Sequence, residues 1–170
     1  MKKLIFLDID GVLNSDVYVS SDYYQQVTAG LSDAYIMMIA HHLHLDPNAL
    51  ALLNDLVDRS GAEVILSSTW RAKYSPEELT EMMQGRGARF KIAASIPILH
   101  GKVFSSRIPR GKEIAAYLVS LEVQPDAYVI IDDNDDMLSL KKFLVLTDKK
   151  FGLTINDVDK ALKILNGEVA

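Results

Sequence analysis

The chain of 170 residues contains no cysteine. Disulfide bonds, thiolate metal sites and cysteine nucleophiles are therefore excluded. Basic residues are also in deficit, because 18 Lys and Arg stand against 23 Asp and Glu, which gives a formal net charge of −5. Without a long basic run, extensive binding along duplex nucleic acid is not expected, whereas the end of a nucleic acid strand or a small phosphorylated molecule is compatible with this composition.

Long apolar runs are missing as well. The apolar start of the chain, residues 4–7, is interrupted by Asp8 and Asp10, so it is too short for the core of a signal peptide or for a membrane span. We therefore expect a cytoplasmic location and no membrane partner. What the chain does contain is 49% hydrophobic and 24% charged residues, which suits one globular domain over residues 1–170.

Short apolar runs alternate with segments of helical spacing. The runs rich in Ile and Val predict buried strands of a parallel sheet at 4–9, 63–66, 128–131 and 143–146, with a further short strand at 90–94. Helical spacing and capping signals predict helices over 47–58, 76–84, 111–121 and 156–165. This alternation indicates an α/β fold, a Rossmann-like three-layer α/β/α sandwich around a mainly parallel sheet.

Residues 15–46, here called the cap segment, do not fit this alternation. They contain no clear strand, and we expect a small helical cap insertion, a loop with one or two helices. Met37, Met38 and Ile39 are expected to form its apolar underside. Three histidines follow closely, and their spacing does not place them on one helix face, which favours a polar edge of the cap over a soft-metal site: His41, His42 and His44.

Polar side chains stand where three of the predicted strands end. Ligands of an open parallel sheet bind outside the carboxyl ends of its strands. Four carboxylates at that edge would repel one another unless a cation lies among them, and oxygen ligands favour Mg²⁺. The residues at the three strand ends are Asp8 and Asp10, Ser67 and Ser68, and Asp132 and Asp133.

The spacing of Asp8 and Asp10 suits phosphoryl transfer. Two residues apart in a strand, they project to the same side. One carboxylate can attack phosphorus while the other protonates the leaving oxygen and later activates water. Gly11 permits the tight turn and the close backbone approach that follow. Each piece also has a simpler interpretation: a turn at 8–11, a helix N-cap at 67–69, and an acidic loop before a helix over 137–142.

The order of these pieces resembles the haloacid dehalogenase (HAD) superfamily. Residues 6–13, Phe-Leu-Asp-Ile-Asp-Gly-Val-Leu, resemble its motif I, which reads hhhDxDGh in the phosphatases. Residues 65–67 resemble motif II, and residues 130–133 resemble motif IV. Beyond these motifs, residues 66–71 and the tail segments 146–148 and 152–154 resemble a compact branch, the HAD domain of Swiss Army Knife RNA repair proteins.

This resemblance implies a phosphatase mechanism. Asp8 would form the phospho-aspartate, Asp10 would be the general acid, and Ser67 would hold the transferring phosphoryl group. A dehalogenase needs no proton on its leaving group, so a carboxylate at position 10 favours phosphate chemistry. The implied Mg²⁺ site consists of Asp8, Asp10, Asp132 and Asp133.

Two positions of the resemblance stay ambiguous. The family's usual motif III residue favours Lys112, whereas the position directly before Gly111 favours Arg110. In either case the cation would stabilise the charge of the nucleophile and of the phosphoryl group. The further acid that follows motif IV in the family is not identified, because Asp135 and Asp136 come early after the Asp pair.

Four residues beside the motifs are candidate substrate contacts. Arg71 could grip a phosphate or another anionic group, or it could be a surface residue at a helix start. Trp70 could stack on a base or a sugar, or it could pack in the core. Gly11 and Ser68 complete the set.

The short cap segment favours a large substrate. It is smaller than the cap domains that enclose small metabolites, so the cleft should be open to a nucleic acid end or a phosphoprotein, and it also suits a nucleotide whose base projects outward. We expect a Mg²⁺-dependent phosphomonoesterase that acts on nucleotides or nucleic acid ends. The alternatives are a phosphotransferase of the same superfamily and a catalytically silent binding module.

Overall fold

A five-stranded sheet forms the centre of the computed structural model, which describes residues 1–99 and 108–168. Its strands are β1 (Lys3–Leu7), β2 (Glu63–Leu66), β3 (Ile92–Ser95), β4 (Ala127–Asp132) and β5 (Leu144–Leu146). All four strand pairs are parallel, in the order β3-β2-β1-β4-β5. The central position of β1 brings the ends of β2 and β4 to either side of the residues that follow Leu7.

Helices cover both faces of the sheet. The α-helices of the described residues are α1 (Asp16–Val19), α2 (Asp22–Val27), α3 (Asp33–Met38), α4 (Pro47–Ser60), α5 (Pro76–Gln84), α6 (Arg110–Ser120) and α7 (Ile155–Leu165). Three 3₁₀ turns lie at His41–His44, Thr69–Ala72 and Leu138–Phe143. Alternate residues of β1 point to opposite faces: Ile5 and Leu7 join the core under α4, α5 and α7, while Leu4 and Phe6 join the core under α6.

The Rossmann-like α/β fold is confirmed, and its elements lie within two residues of the predicted bounds. Helix α4 begins as expected, with Asp46 as N-cap and Pro47 in the first turn. Helix α5 begins at a capping box between Ser75 and Glu78. The segment after the acidic pair differs from the expected α-helix, since Leu138–Phe143 is 3₁₀-helical.

The cap segment carries more helix than the sequence predicts. Its three helices are each preceded by a serine whose hydroxyl accepts a backbone N–H of the first turn: Ser15, Ser21 and Ser32. Each is followed by an aspartate, which suits the positive end of the helix dipole. That residues 1–170 form one domain with a cap insertion at about 15–46 stays a prediction.

The predicted underside of the cap segment is wrong. Met37, Met38 and Ile39 are exposed, with relative accessibilities of 49%, 75% and 66%. Tyr18 and Ile36 are buried instead. The reason is the register of α3, a helix of six residues, which turns Ile36 inward and its neighbours outward.

A loop near the end of the chain supports the turn that follows β1. The Thr147 hydroxyl donates to the carbonyl oxygen of Gly11 at 2.9 Å, and the Leu153 N–H donates to the carbonyl oxygen of Val12 at 2.9 Å. The Asp16 N–H donates to the carbonyl oxygen of Lys149 at 3.2 Å. The backbone around the candidate nucleophile is therefore fixed from the opposite end of the sequence.

None of the helices in residues 1–99 and 108–168 has the length and apolar character that crossing a bilayer requires.

Candidate active site

Three carboxylates meet at the carboxyl edge of the sheet. Leu7 pairs with Ile131 across β1 and β4, so the residues that follow, Asp8 and Asp132, come out side by side. Together with Asp133, they offer oxygen atoms that all lie within 4.8 Å of one another. Asp8 and Asp132 are buried, with 5% and 1% of their surface exposed. This group is called the carboxylate cluster below.

Burial raises the pKa of every carboxyl in the cluster. The pKa of Asp8 is raised by burial, although a hydrogen bond from Ser68 and the charge of Arg110 act in the opposite direction. Burial and the neighbouring Asp8 raise the pKa of Asp132 to about 7. The pKa of Asp133 is also raised, again mainly by burial. A cation among these groups would remove the mutual repulsion.

The cluster has the properties of a site for a divalent cation. Asp132 Oδ1 accepts the Asn134 N–H at 2.9 Å, but its Oδ2 atom is buried and has no hydrogen-bond partner among the described residues. A buried carboxylate oxygen without a partner is costly unless a ligand satisfies it. The donors are all carboxylate oxygens, the set that hard cations such as Mg²⁺ prefer. The three carboxylates can therefore bind a metal ion.

The side chain of Asp10 lies outside this cluster. Its Oδ1 accepts the Asn14 side-chain N–H at 2.8 Å, and the indole N–H of Trp70 lies 3.2 Å from Oδ1 and 3.1 Å from Oδ2. The carboxylate is exposed to solvent. Its metal-binding and catalytic roles stay predictions.

Gly11 brings the backbone against the cluster. It has φ +71°, and a Cβ atom here would overlap the Asp133 carboxylate. The site therefore requires glycine both for its left-handed backbone and for space. Whether Gly11 also contacts a substrate stays a prediction.

Ser67 and Ser68 follow β2 and are fully buried. The Ser67 N–H donates to the carbonyl oxygen of Leu7 at 2.8 Å, which fixes it beside Asp8, and its hydroxyl has no hydrogen-bond partner among the described residues. The Ser68 hydroxyl oxygen lies 3.4 Å from the backbone nitrogen of Trp70 and caps the 3₁₀ turn at Thr69–Ala72. An unpartnered buried hydroxyl next to a carboxylate is well placed to receive a ligand oxygen.

Of the two motif III candidates, Arg110 faces the cluster. Its side chain is buried, and its Nε atom lies 3.7 Å from Asp132 Oδ2. Lys112 is exposed. The close approach of α6 depends on Gly111, where a Cβ atom would overlap the carbonyl of Met137.

A buried glutamate that sequence reasoning missed connects two arginines. Glu113 Oε2 lies 2.6 Å from the Arg71 guanidinium and 3.3 Å from that of Arg110. Arg71 also donates to the carbonyl oxygens of Ser67 and Ser68, at 2.6 and 2.7 Å. Arg71 is therefore buried between β2 and α6, and its proposed contact with a substrate anion stays a prediction. The available signal was the i, i+3 spacing of Arg110 and Glu113 on a helix.

The two acids after motif IV have other partners. Asp135 lies at the surface and pairs with Lys141 at 2.8 Å. Asp136 accepts the backbone N–H of Arg110 at 3.2 Å through its side chain and so caps the start of α6. Neither belongs to the carboxylate cluster.

Trp70 is packed under the cap segment. Its ring stacks on that of His41 with a centroid distance of 3.7 Å and an interplanar angle of 14°, and it is 6% exposed. Burial, His44 and Lys73 lower the pKa of His41 to about 4, so the imidazole is neutral near pH 7. Stacking of Trp70 on a substrate stays a prediction. The described residues offer no group of three histidine ligands that could hold a metal.

A cavity of about 320 Å³ opens beside Asp10. Its wall includes Trp70 and Tyr74 from the segment after β2, and His41 and His44 from the cap segment. The cavity is within the size range of small-molecule sites and is bordered by both polar and aromatic side chains.

The pKa of Asp132 predicts how the metal-free protein responds to pH. The folded state keeps this proton up to about pH 7, whereas the unfolded chain loses it near pH 3.8, so the free energy of unfolding should fall as pH rises from 4 to 7. The fall should be on the order of 3 kcal/mol. His41 acts oppositely, because its lowered pKa destabilises the fold as pH drops below 6.5.

Urea unfolding of the wild type and of Asp132→Asn, in the presence of EDTA at several pH values, would measure this. The His41 contribution is common to both proteins and cancels in the difference. The wild type should lose stability relative to the variant as pH rises. Parallel pH profiles would contradict the predicted protonation of Asp132.

Comparison with known proteins places the chain in a family. Residues 4–158 match the family described as the HAD domain in Swiss Army Knife RNA repair proteins. The fold is similar to that of the HAD domain of effector protein Lem4 from Legionella pneumophila, with a TM-score of 0.52 and 15% identity over 99% of this chain and 98% of that chain. An inactive mutant of the same domain gives a TM-score of 0.52 and 17% identity over the same shares.

Identities this low establish a shared fold alone. No curated protein matches the chain. The family match covers most of the sequence, including the strand ends that carry the carboxylate cluster. The chain therefore belongs to the family of HAD domains found in Swiss Army Knife RNA repair proteins.

Proposed function

We propose that this domain is a Mg²⁺-dependent phosphomonoesterase that forms a phospho-aspartate on Asp8. The observation that carries the proposal is the buried carboxylate cluster, in which Asp132 Oδ2 and the neighbouring Ser67 hydroxyl have no hydrogen-bond partner among the described residues. Membership of the HAD family supports a phosphatase-type function in general. Asp8, Asp132 and Asp133 would hold the Mg²⁺ ion, which would neutralise charge on the phosphoryl group.

The reaction would proceed in two steps. An Asp8 carboxylate oxygen bonds to phosphorus while the bond from phosphorus to the ester oxygen breaks, and the Asp10 carboxyl gives its proton to that leaving oxygen. Asp10 then takes a proton from water, the water oxygen bonds to phosphorus, and the acyl phosphate bond breaks to release inorganic phosphate and free Asp8. Ser67 and Arg110 would bind the phosphoryl oxygens.

Nucleotides and nucleic acid ends are the proposed substrates. The cavity beside Asp10 supports this proposal, because it would receive the leaving group of a reaction in which Asp10 is the general acid, and aromatic side chains border it. Burial lowers the pKa of both His41 and His44, but Lys73 also lines this cavity, so the aromatic side chains, rather than the charge of the wall, support a nucleoside as the leaving group. The net charge of −5 favours a strand end over a long duplex.

Phosphate release from a panel of substrates would test the proposal. The panel contains nucleotides, 3′- and 5′-phosphorylated oligonucleotides, sugar phosphates and phosphopeptides, each with Mg²⁺ and with EDTA. We expect Mg²⁺-dependent release that is fastest from nucleotides or strand ends. Transfer of the phosphoryl group to added alcohols or sugars in preference to water would indicate the phosphotransferase. Failure to hydrolyse any phosphate ester, including an aryl phosphate, would overturn the proposal in favour of a silent binding module.

A further inference from the structure

The cap segment is connected to the Asp10 carboxylate through one indole ring. The indole nitrogen of Trp70 lies 3.2 and 3.1 Å from the two carboxylate oxygens of Asp10. The face of the same indole stacks on the His41 ring, with 3.7 Å between the ring centroids. His41 is itself fixed by a contact of 3.1 Å between its Nδ1 atom and the Tyr74 hydroxyl. His41 of the cap segment and Asp10, the candidate general acid, therefore both contact the indole of Trp70.

We propose that Trp70 is the positioning residue for Asp10 as general acid, and that His41 holds the indole in place. This inference rests on the proposed function, since it concerns the step in which the Asp10 carboxyl proton passes to the leaving oxygen as that oxygen separates from phosphorus. It assigns Trp70 a part in catalysis that differs from stacking on a substrate.

Geometry gives the reason why Asp10 needs such a support. Its side chain is exposed and follows β1 at the start of a turn, so without a fixed partner it would sample several rotamers. Proton transfer requires the donor oxygen within hydrogen-bonding reach of the leaving oxygen, and small misplacements are costly. Oδ1 accepts from both Asn14 and Trp70, whereas among the described residues Oδ2 accepts from the indole alone, so Oδ2 would carry the proton.

His41 suits the supporting role because it can stack without adding charge. Burial, His44 and Lys73 keep its pKa near 4, so the ring in contact with the indole is neutral at physiological pH. The nearly parallel stack of the two rings also restricts the tilt of the indole, and therefore the direction of its N–H.

The dependence of rate on the leaving group would test the inference. A nucleoside monophosphate releases an alkoxide that needs a proton, whereas p-nitrophenyl phosphate releases a stable phenolate that does not. With Trp70→Phe, which keeps an aromatic ring and removes the N–H, we expect kcat/KM for the nucleotide to fall about 10- to 100-fold. For p-nitrophenyl phosphate the loss should stay within about threefold.

Variants of His41 test the contribution of its stack on Trp70. His41→Ala should reproduce the selective loss in weaker form, because the stack disappears, and His41→Phe should largely restore the ratio of the two rates. His42→Ala is the control, since His42 belongs to the same 3₁₀ turn but lies outside the stack.

Two results would overturn the inference. Equal losses on both substrates would indicate a purely structural Trp70, and unchanged kinetics would show that Asp10 needs no such support. Should Trp70→Phe not fold, benzothienylalanine replaces the indole N–H by sulfur at this position alone, because the chain has a single tryptophan. A wild-type protein inactive on both substrates would instead refute the proposed function itself.

Discussion

Replacing Asp8 by Asn is expected to abolish phosphatase turnover while leaving the fold intact. The amide cannot attack phosphorus, so the loss should be on the order of 10⁴-fold or more. Beryllium fluoride, which binds aspartate carboxylates as a phosphoryl mimic, should bind the wild type in the presence of Mg²⁺ and not the variant. Steady-state rates and a fluoride-dependent shift in melting temperature measure the two effects.

The stability of the same variant provides an internal check. Asp8 is buried beside Asp132, and their repulsion contributes to the raised pKa of Asp132. Removing one of these charges should leave the metal-free protein as stable as the wild type or more stable. Asp16→Asn, on the exposed start of α1, is the matched control and should keep full activity. Near-normal turnover by Asp8→Asn would refute the nucleophile assignment.

Replacing Glu113 by Ala should cause the largest loss of stability of any single change considered. Its carboxylate is the common partner of the buried guanidinium groups of Arg71 and Arg110. Removing one member of a buried charged network leaves uncompensated charge, at a cost of about 3–5 kcal/mol. In a protein of this size that corresponds to a fall in melting temperature of about 6–20 °C.

Two further variants separate charge from general disturbance at this position. Glu113→Gln keeps the shape and an acceptor oxygen, so it should lose less stability than Glu113→Ala. Glu122→Ala, at an exposed position, should change the free energy of unfolding by no more than about 0.5 kcal/mol. A Glu113→Ala protein as stable as the Glu122→Ala protein would mean that the two arginines have other compensation.

The fold could be predicted because its signals are local. The strands are short apolar runs between turn residues, and capping residues such as Asp46 and Ser75 mark helix starts to the residue. The cap segment was harder, because α1, α2 and α3 have only four to six residues each, too few for apolar periodicity. Their repeated Ser-Asp starts were the readable signal.

Only the part of the candidate site that lies at the strand ends could be predicted from the sequence. Neighbouring parallel strands had to bring Asp8 and Asp132 together, and they do. The choice between Arg110 and Lys112 depends on the rotation of α6, and the partner of Arg71 lies on an element far along the chain. Such contacts depend on how helices pack on the sheet, which one sequence does not encode in its spacing.

The central place of β1 also has a consequence for biosynthesis. Asp8 precedes the strands on either side of its own, which pair with it from Glu63 and from Ala127 onward, and its turn is fixed by residues 147–153. Contacts of such wide sequence separation form late and together. During synthesis the candidate nucleophile therefore emerges before the residues that form its surroundings. We expect the candidate active site to form only when these later segments are in place.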